Sequence, residues 1–179
     1  LQSVGDVTTQ SIIRDSQTAR ANVVLRFGGV VSGVEVLKRL FEDNAHCTIP
    51  TFVNDGEEVG SNTTIARIEG DLRQLLGLER IGLNLLGRLS GVATLTRQYV
   101  NAIRGSKAVI CDTRKTTPGI RNLEKFAVRC GGGTLHRLGL FDAALYKDNH
   151  LAGIPLLKLA ESLTAAIRSA RDEHELRFV

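Results

Sequence analysis

The sequence predicts an α/β fold in two parts, an N-terminal α/β sandwich followed by the opening portion of an open α/β barrel. Three observations lead there. Short β-branched runs alternate with amphipathic stretches in the first third of the chain. A long helical stretch then carries Arg80, Arg88 and Arg97 without a single acid between Arg80 and Val100. From Lys107 the rhythm becomes β-α-β-α-β, the signature of a parallel sheet or barrel. The expected plan is a sandwich domain over 1–79, a linking helical segment over 80–104, and the first part of a barrel domain over 105–179.

Each element has its own local signal. Ala21–Phe27 is short and β-branched, and Val30-Val31 carries it on towards Gly33. Val34–Phe41 reads as a helix, with Val34, Leu37 and Phe41 on one stripe. Thr48–Val53 is expected as a strand, Asn54-Asp55-Gly56 as a turn, and Thr63–Glu69 as the returning partner strand. Asp55–Gly60 with Ile65–Gly70 has the look of half a biotinyl or lipoyl carrier hairpin. The sequence has no lysine between Arg39 and Lys107 to carry the group, so a structural hairpin is expected. Residues 72–104 form the longest helical stretch, with Leu85, Leu89, Val92, Tyr99 and Ile103 recurring along it and Leu86, Ala93 and Val100 beside them as a broad apolar stripe. Gly82, Gly87 and Gly91 each cost such a helix about 1 kcal/mol, which implies close backbone packing or a break into two helices.

In the barrel part, Lys107–Asp112 is a short apolar run suited to a buried parallel strand. A polar loop follows, then a helix over Leu123–Cys130 stopped by Gly131-Gly132-Gly133. Ala143–Lys147 is the second strand, a helix starts at Pro155 and runs to about Arg171, and Leu176–Val179 opens a third strand. Three strands do not close a barrel of about eight, so the barrel is expected to stop partway. The sequence has no methionine, even at position 1, so the chain is expected to begin downstream of its translation start. A protein of roughly 250 to 300 residues is expected around it.

Composition excludes several classes of function. The 179 residues are 42% hydrophobic and 23% charged, an ordinary globular balance rather than a disordered one. No apolar run approaches the roughly 20 residues of a membrane span, and no basic-then-apolar signal pattern opens the chain. Cys47, Cys111 and Cys130 are odd in number and lack C-x-x-C spacing, which points to reduced thiols in a cytoplasmic protein. The net charge of +4 is unevenly spread: residues 1–79 hold 7 Lys/Arg against 11 Asp/Glu, whereas 101–150 hold 9 against 4. The basic middle therefore faces something anionic. Aromatics at 4% are too few for single-strand stacking platforms, and a small phosphorylated or carboxylated substrate fits the basic stretch at least as well as nucleic acid.

In β/α folds, working residues sit at the C-terminal ends of strands and just beyond. Here those positions are Arg114 and Lys115 after the first barrel strand, His136 and Arg137 before the second, and Lys147 after it. Like charges gathered this way cost stability unless an anion neutralises them. The triple glycine lacks the Lys-Ser/Thr of a phosphate-binding P-loop and is expected to be a helix stop. His46-Cys47 and the remaining His and Cys lack zinc spacing, and no G-x-S-x-G elbow occurs.

Four runs then take on a familiar order: D-T-R-K-T-T-P-G-I-R (Asp112–Arg121), E-K-F-A-V-R-C-G-G-G (Glu124–Gly133), H-R-L-G-L-F-D-A-A-L (His136–Leu145) and K-D-N-H (Lys147–His150). With G-D-V-T-T (Gly5–Thr9) and the helix Glu79–Thr94, they make the chain resemble the quinolinate phosphoribosyltransferases over nearly its whole length. Leu135 departs from the Asn that the family usually has before His-Arg.

The resemblance implies phosphoribosyl transfer from phosphoribosyl pyrophosphate to quinolinate with decarboxylation. The products are nicotinate mononucleotide, pyrophosphate and CO2, with Mg2+ as cofactor, in de novo NAD biosynthesis. It implies a homodimer or higher assembly in the cytoplasm. By motif position, Arg114, His136 and Arg137 would hold the quinolinate carboxylates, and Lys115 and Lys147 would be the catalytic lysines contacting carboxylate and phosphoribosyl groups. Arg80 would serve the neighbouring subunit's site, and the metal-binding acids would lie beyond Val179. Two alternatives stand beside this reading. One is a related molybdenum-transport-associated protein, which shares D-T-R-K-T-T-P-G and H-R but departs at K-D-N-H. The other is a non-catalytic anion-binding fragment.

Overall fold

The computed structural model describes residues 5–174. Their elements follow in chain order: α1 (Val7–Ile12), β1 (Thr18–Leu25), β2 (Gly29–Val30), α2 (Val34–Ala45), β3 (Glu58–Val59), β4 (Thr63–Asp71), α3 (Leu72–Ala102), α4 (Arg121–Cys130), α5 (Asp148–Leu151), a 3-10 turn (Leu156–Lys158) and α6 (Leu159–Glu173). This is a mixed α/β chain. It divides into two compact units: Leu1–Asp112 with Thr116–Thr134, and Thr113–Lys115 with Leu135–Val179.

In the first unit, β1 pairs antiparallel with β4, from Thr18↔Asp71 to Leu25↔Thr63, with an irregularity between Val23 and Val24. β2 pairs antiparallel with β3. The expected strand over Thr48–Val53 is reduced to two antiparallel bridges, Thr48↔Glu69 and Thr51↔Ala66. Thr63–Glu69 therefore has β1 as its ladder partner as well as the segment predicted. The expected hairpin between Asp55–Gly60 and Ile65–Gly70 does not form, because β3 and β4 belong to different sheets.

α2 lies on the sheet through Val34, Leu37, Phe41 and Ala45, all buried at spacings of three and four. Its start is capped from a distance. Asp55 Oδ1 accepts the Gly33 and Val34 N–H groups at 2.6 and 2.9 Å, and Oδ2 accepts that of Glu35 at 3.4 Å. Val23, Ile65, Ile68, Leu75 and Leu86 complete the main core. The short opening motif forms α1, whose cap is Asp6. That carboxylate accepts the Thr8 and Thr9 N–H groups and, at 2.6 Å, the Thr9 hydroxyl.

α3 is one unbroken helix, not two. Its buried line runs through Gly82, Leu86, Leu89, Ser90, Ala93 and Thr96, whereas Tyr99 of the predicted stripe is 57% exposed. The inward face sets small and hydroxyl side chains beside Leu86 and Leu89. A Cβ on Gly82 would come within 2.8 Å of Leu37 Cδ1. Ser90 Oγ accepts the Ser32 N–H at 3.0 Å, and Thr94 Oγ1 accepts that of Val30 at 2.9 Å. Leu86, Leu89 and Ala93 of the predicted stripe are thus buried, and close approach and backbone hydrogen bonding add Gly82 and Ser90 to the inward face. A second core of Val30, Leu89, Ala93 and Ala127 joins α3, α4 and β2. The helix stop is as expected: Gly132 takes a φ of +89°, and a Cβ on Gly131 would meet the Ala93 carbonyl at 2.4 Å.

Lys107–Asp112 makes one parallel bridge, Cys111↔Thr134, with Asp112 N–H donating to Thr134 O at 3.0 Å. Ala143–Lys147 joins no ladder among the described residues. A short parallel strand is defined by its neighbours on both sides, and these two runs have at most one such partner here. The predicted strand Leu176–Val179 lies outside the described residues. In the second unit α6 runs Leu159–Glu173 after the 3-10 turn at Pro155, two residues beyond the expected end. Tyr146 Oη donates to the Ala166 carbonyl of that helix at 3.0 Å.

Phe41 has no exposed surface. Phe41→Ala is expected to destabilise the chain by about 3 to 5 kcal/mol through the cavity it leaves. Urea unfolding of the two proteins, compared at constant slope, measures it.

Candidate active site

The Thr113–Thr116 segment begins where the Lys107–Asp112 run ends. Its start is held by a buried ion pair: Lys125 Nζ lies 2.5 Å from Asp112 Oδ2, with the two side chains 2% and 4% exposed. Its end is held by Glu124. The Thr117 N–H donates to Glu124 Oε2 at 3.0 Å and the Thr117 hydroxyl to Oε1 at 2.7 Å. Arg88 of α3 reaches the same carboxylate through Nε and Nη2 at 2.9 and 2.7 Å. Arg121 Nε donates to Thr116 Oγ1 at 3.1 Å. Burial pushes the Glu124 carboxyl up, but the Thr117 hydroxyl and N–H and the Arg88 guanidinium outweigh it and hold it below the usual glutamate range.

The candidate cations take different positions. Arg114 is half-buried, and its Nε is buried with no hydrogen-bond partner. Lys115 is exposed, and its N–H donates to Thr113 Oγ1 at 3.0 Å. His136 is half-buried. Arg137 is only 6% exposed, and its Nη1 donates to the Ala143 carbonyl at 2.7 Å. It stands in the wall of a cavity of about 360 Å3 that is otherwise mostly apolar, lined also by Ala143, Tyr146, His150, Leu151 and Leu163. A guanidinium in such surroundings acts on an anion more strongly than it would in water. Lys147 is exposed just before α5, with its N–H donating to His150 Nδ1 at 3.0 Å.

Arg114, Lys115, His136, Arg137 and Lys147 thus share the second unit, whereas Arg80 is an exposed residue of α3 in the first. The other two arginines of that helix have structural partners. Arg88 binds Glu124, and Arg97 donates to the Gly131 and Cys130 carbonyls at 3.0 and 3.2 Å, closing the end of α4. Among the described residues no group of three His, Cys, Asp or Glu side chains could hold a metal ion. Asp148, the acid nearest Lys147, accepts the Asn149 N–H at 2.9 Å in the first turn of α5. The described residues therefore offer Mg2+ no ligand set of this kind. No helix among them is long and apolar enough to cross a membrane.

Sequence reasoning missed Glu124, Lys125, Asp112, Thr117 and Arg88 as the frame of this segment. The signal was present in α4, where an acid and a base stand side by side at the positions that turn inward. Phe126, the large apolar residue beside them, is 38% exposed.

Together these features define a two-unit α/β protein whose second unit holds the five candidate cations, with Arg137 in the wall of an apolar cavity. Residues 6–90 match the family profile "Quinolinate phosphoribosyl transferase, N-terminal domain", and residues 92–178 match "Quinolinate phosphoribosyl transferase, C-terminal domain". The chain belongs to the quinolinate phosphoribosyltransferase family.

Among relatives, the chain is 43% identical over 151 residues to the probable nicotinate-nucleotide pyrophosphorylase [carboxylating] of Bacillus subtilis, covering 83% of this chain and 51% of that protein. It is 41% identical over 170 residues to the nicotinate-nucleotide pyrophosphorylase [carboxylating] of Mycobacterium leprae, covering 93% and 57%. The crystal structure of the nicotinate-nucleotide pyrophosphorylase from Ehrlichia chaffeensis superposes with a TM-score of 0.88 at 35% identity, covering 99% of this chain and 64% of that one. The chain spans about half the length of the curated relatives it matches.

The lowered Glu124 carboxyl sets a pH dependence. A group whose folded value is depressed contributes stability above its unfolded value and loses it as pH falls through the folded one. Glu124→Gln is therefore expected to be least stable relative to the parent near neutral pH. The gap should narrow as pH falls from about 6 to about 3, which urea midpoints across that range measure.

Proposed function

We propose that this chain carries part of the active site of a quinolinate phosphoribosyltransferase. That enzyme transfers phosphoribosyl from phosphoribosyl pyrophosphate to quinolinate and releases CO2. The observation that carries the reading is Arg114 Nε, a buried guanidinium nitrogen with no hydrogen-bond partner. Such a group is costly unless a ligand supplies its acceptor. Quinolinate has two adjacent carboxylates, which need planar paired donors. Arg114, His136 and Arg137 are the residues we assign to them.

Lys115 and Lys147 are assigned to the carboxylate and phosphoribosyl groups as mobile point charges. In the transfer, the bond from the ribose C1 to the pyrophosphate oxygen breaks and its electron pair leaves with pyrophosphate. The quinolinate ring nitrogen forms the new bond to that carbon and becomes cationic. The neighbouring carboxylate then departs as CO2, the electron pair left on the ring carbon is stabilised by the cationic nitrogen, and a proton takes its place. Lysine charge fixed near the departing pyrophosphate lowers this barrier without any covalent nucleophile. Mg2+ would enter with the phosphorylated substrate, and no step here is routed through it.

The fuller architecture we propose is an α/β sandwich followed by an open barrel, working in the cytoplasm as a dimer or higher assembly. Arg80, exposed and remote in sequence from the strand-end cations, is assigned to the neighbouring subunit's site.

Lys115→Ala in the intact protein is expected to lower turnover by about 10² to 10³ with the fold retained. Quinolinate-dependent pyrophosphate release, followed alongside circular dichroism, measures it. Near-normal turnover in a folded variant would remove the lysine from this role. Mixing impaired Arg80→Ala subunits with impaired Lys115→Ala subunits should restore activity above that of either alone, because a mixed pair holds one site with both residues. No recovery after demonstrated subunit exchange would place Arg80 outside the neighbour's site.

A further inference from the structure

We infer that Glu124 and Lys125, adjacent on α4, form a two-point clamp on the ends of the Thr113–Thr116 segment and so act as positioning residues for Arg114 and Lys115. The inference rests on the function proposed above for the identity of the anion, but not for the clamp itself.

The geometry is specific. Lys125 fixes Asp112, the residue just before the segment, and Glu124 fixes Thr117, the residue just after it, through both its N–H and its hydroxyl. Arg88 anchors the Glu124 carboxylate to α3, so that the clamp is referred to the longest helix of the unit. Four residues separate the two fixed points, and two of them are the candidate cations Arg114 and Lys115. Thr116 has its own tie, from Arg121.

Stability alone does not account for this arrangement. A buried ion pair gains little over well-packed apolar side chains of similar volume. Yet α4 buries Glu124 and Lys125 while leaving Phe126 partly exposed. What directional, buried hydrogen bonds supply, and apolar packing does not, is a fixed backbone position at each anchor. Charged groups that are held in place before the ligand arrives avoid reorganisation when it reacts, and a misplacement of about 1 Å costs roughly 10² in rate.

The test joins hydrogen exchange over residues 112–117 to turnover in Glu124→Gln and in the milder Thr117→Val, each alone and combined with Lys115→Ala. Exchange of the segment should accelerate at least about 10-fold in both variants while amides of α2 and β4 keep their parent rates. Turnover should fall about 10- to 100-fold in the parent background and by a clearly smaller factor once Lys115 is absent, because part of the clamp's effect passes through that side chain. Equal losses in both backgrounds, unchanged exchange in the segment, or faster exchange throughout α2 and β4 would each overturn the clamp. If the parent protein shows no quinolinate-dependent turnover, the proposed function fails, and the exchange data alone decide whether the clamp exists.

Discussion

Everything in the first unit is referred to one 31-residue helix that must satisfy two different neighbours with a single surface. At about 1.5 Å per residue α3 is a rod of roughly 45 Å, long enough to carry the main core at one end and the second core further along. It manages both by putting small side chains inward. Gly82 admits Leu37 and Phe41, and Ala93 and Thr96 admit the glycine turn after α4. Ser90 and Thr94 supply hydroxyls where the neighbouring backbone has orphan N–H groups. α4 is then placed by Arg88 and Arg97 from the same rod, and α4 in turn holds Asp112 and Thr117.

Much of this was legible from the sequence. The helix expected over 34–41 from its apolar spacing forms over 34–45, the one expected over 123–130 from the glycines beyond it forms over 121–130, and the strand expected over 63–69 forms over 63–71. On α3 the predicted Leu86, Leu89 and Ala93 are buried, but periodicity counts hydrophobicity and so did not pick out Gly82, Ser90 and Thr96, which size and hydrogen bonding turn inward. The segment 48–53 and the run 107–112 were read as strands from composition, yet strand character also depends on partners supplied from elsewhere. Local composition cannot see those.

For the site, residue type and strand-end position picked out Arg114, Lys115, His136, Arg137 and Lys147, and the structure puts all five in one unit. What composition could not single out is the cation that holds the frame. Arg88 and Arg97 are the same residue on the same helix as Arg80, yet they are bound to Glu124 and to the end of α4. The distinction lies in contacts 36 and 34 positions apart in the chain.

The cap on α2 ties local structure to chain closure. Its first N–H groups are satisfied by Asp55, a residue some 20 positions further along. The helix can close its first turn from the Leu37 N–H to the Gly33 carbonyl by itself, but the N–H groups ahead of that bond are left to water while the later turn is still unmade. Its capping is a long-range event that carries the loop-closure cost of bringing Asp55 back to Gly33 and Val34. In a chain emerging from the ribosome, the helix would wait with a frayed start until about ten more residues beyond its own end had been added and folded back.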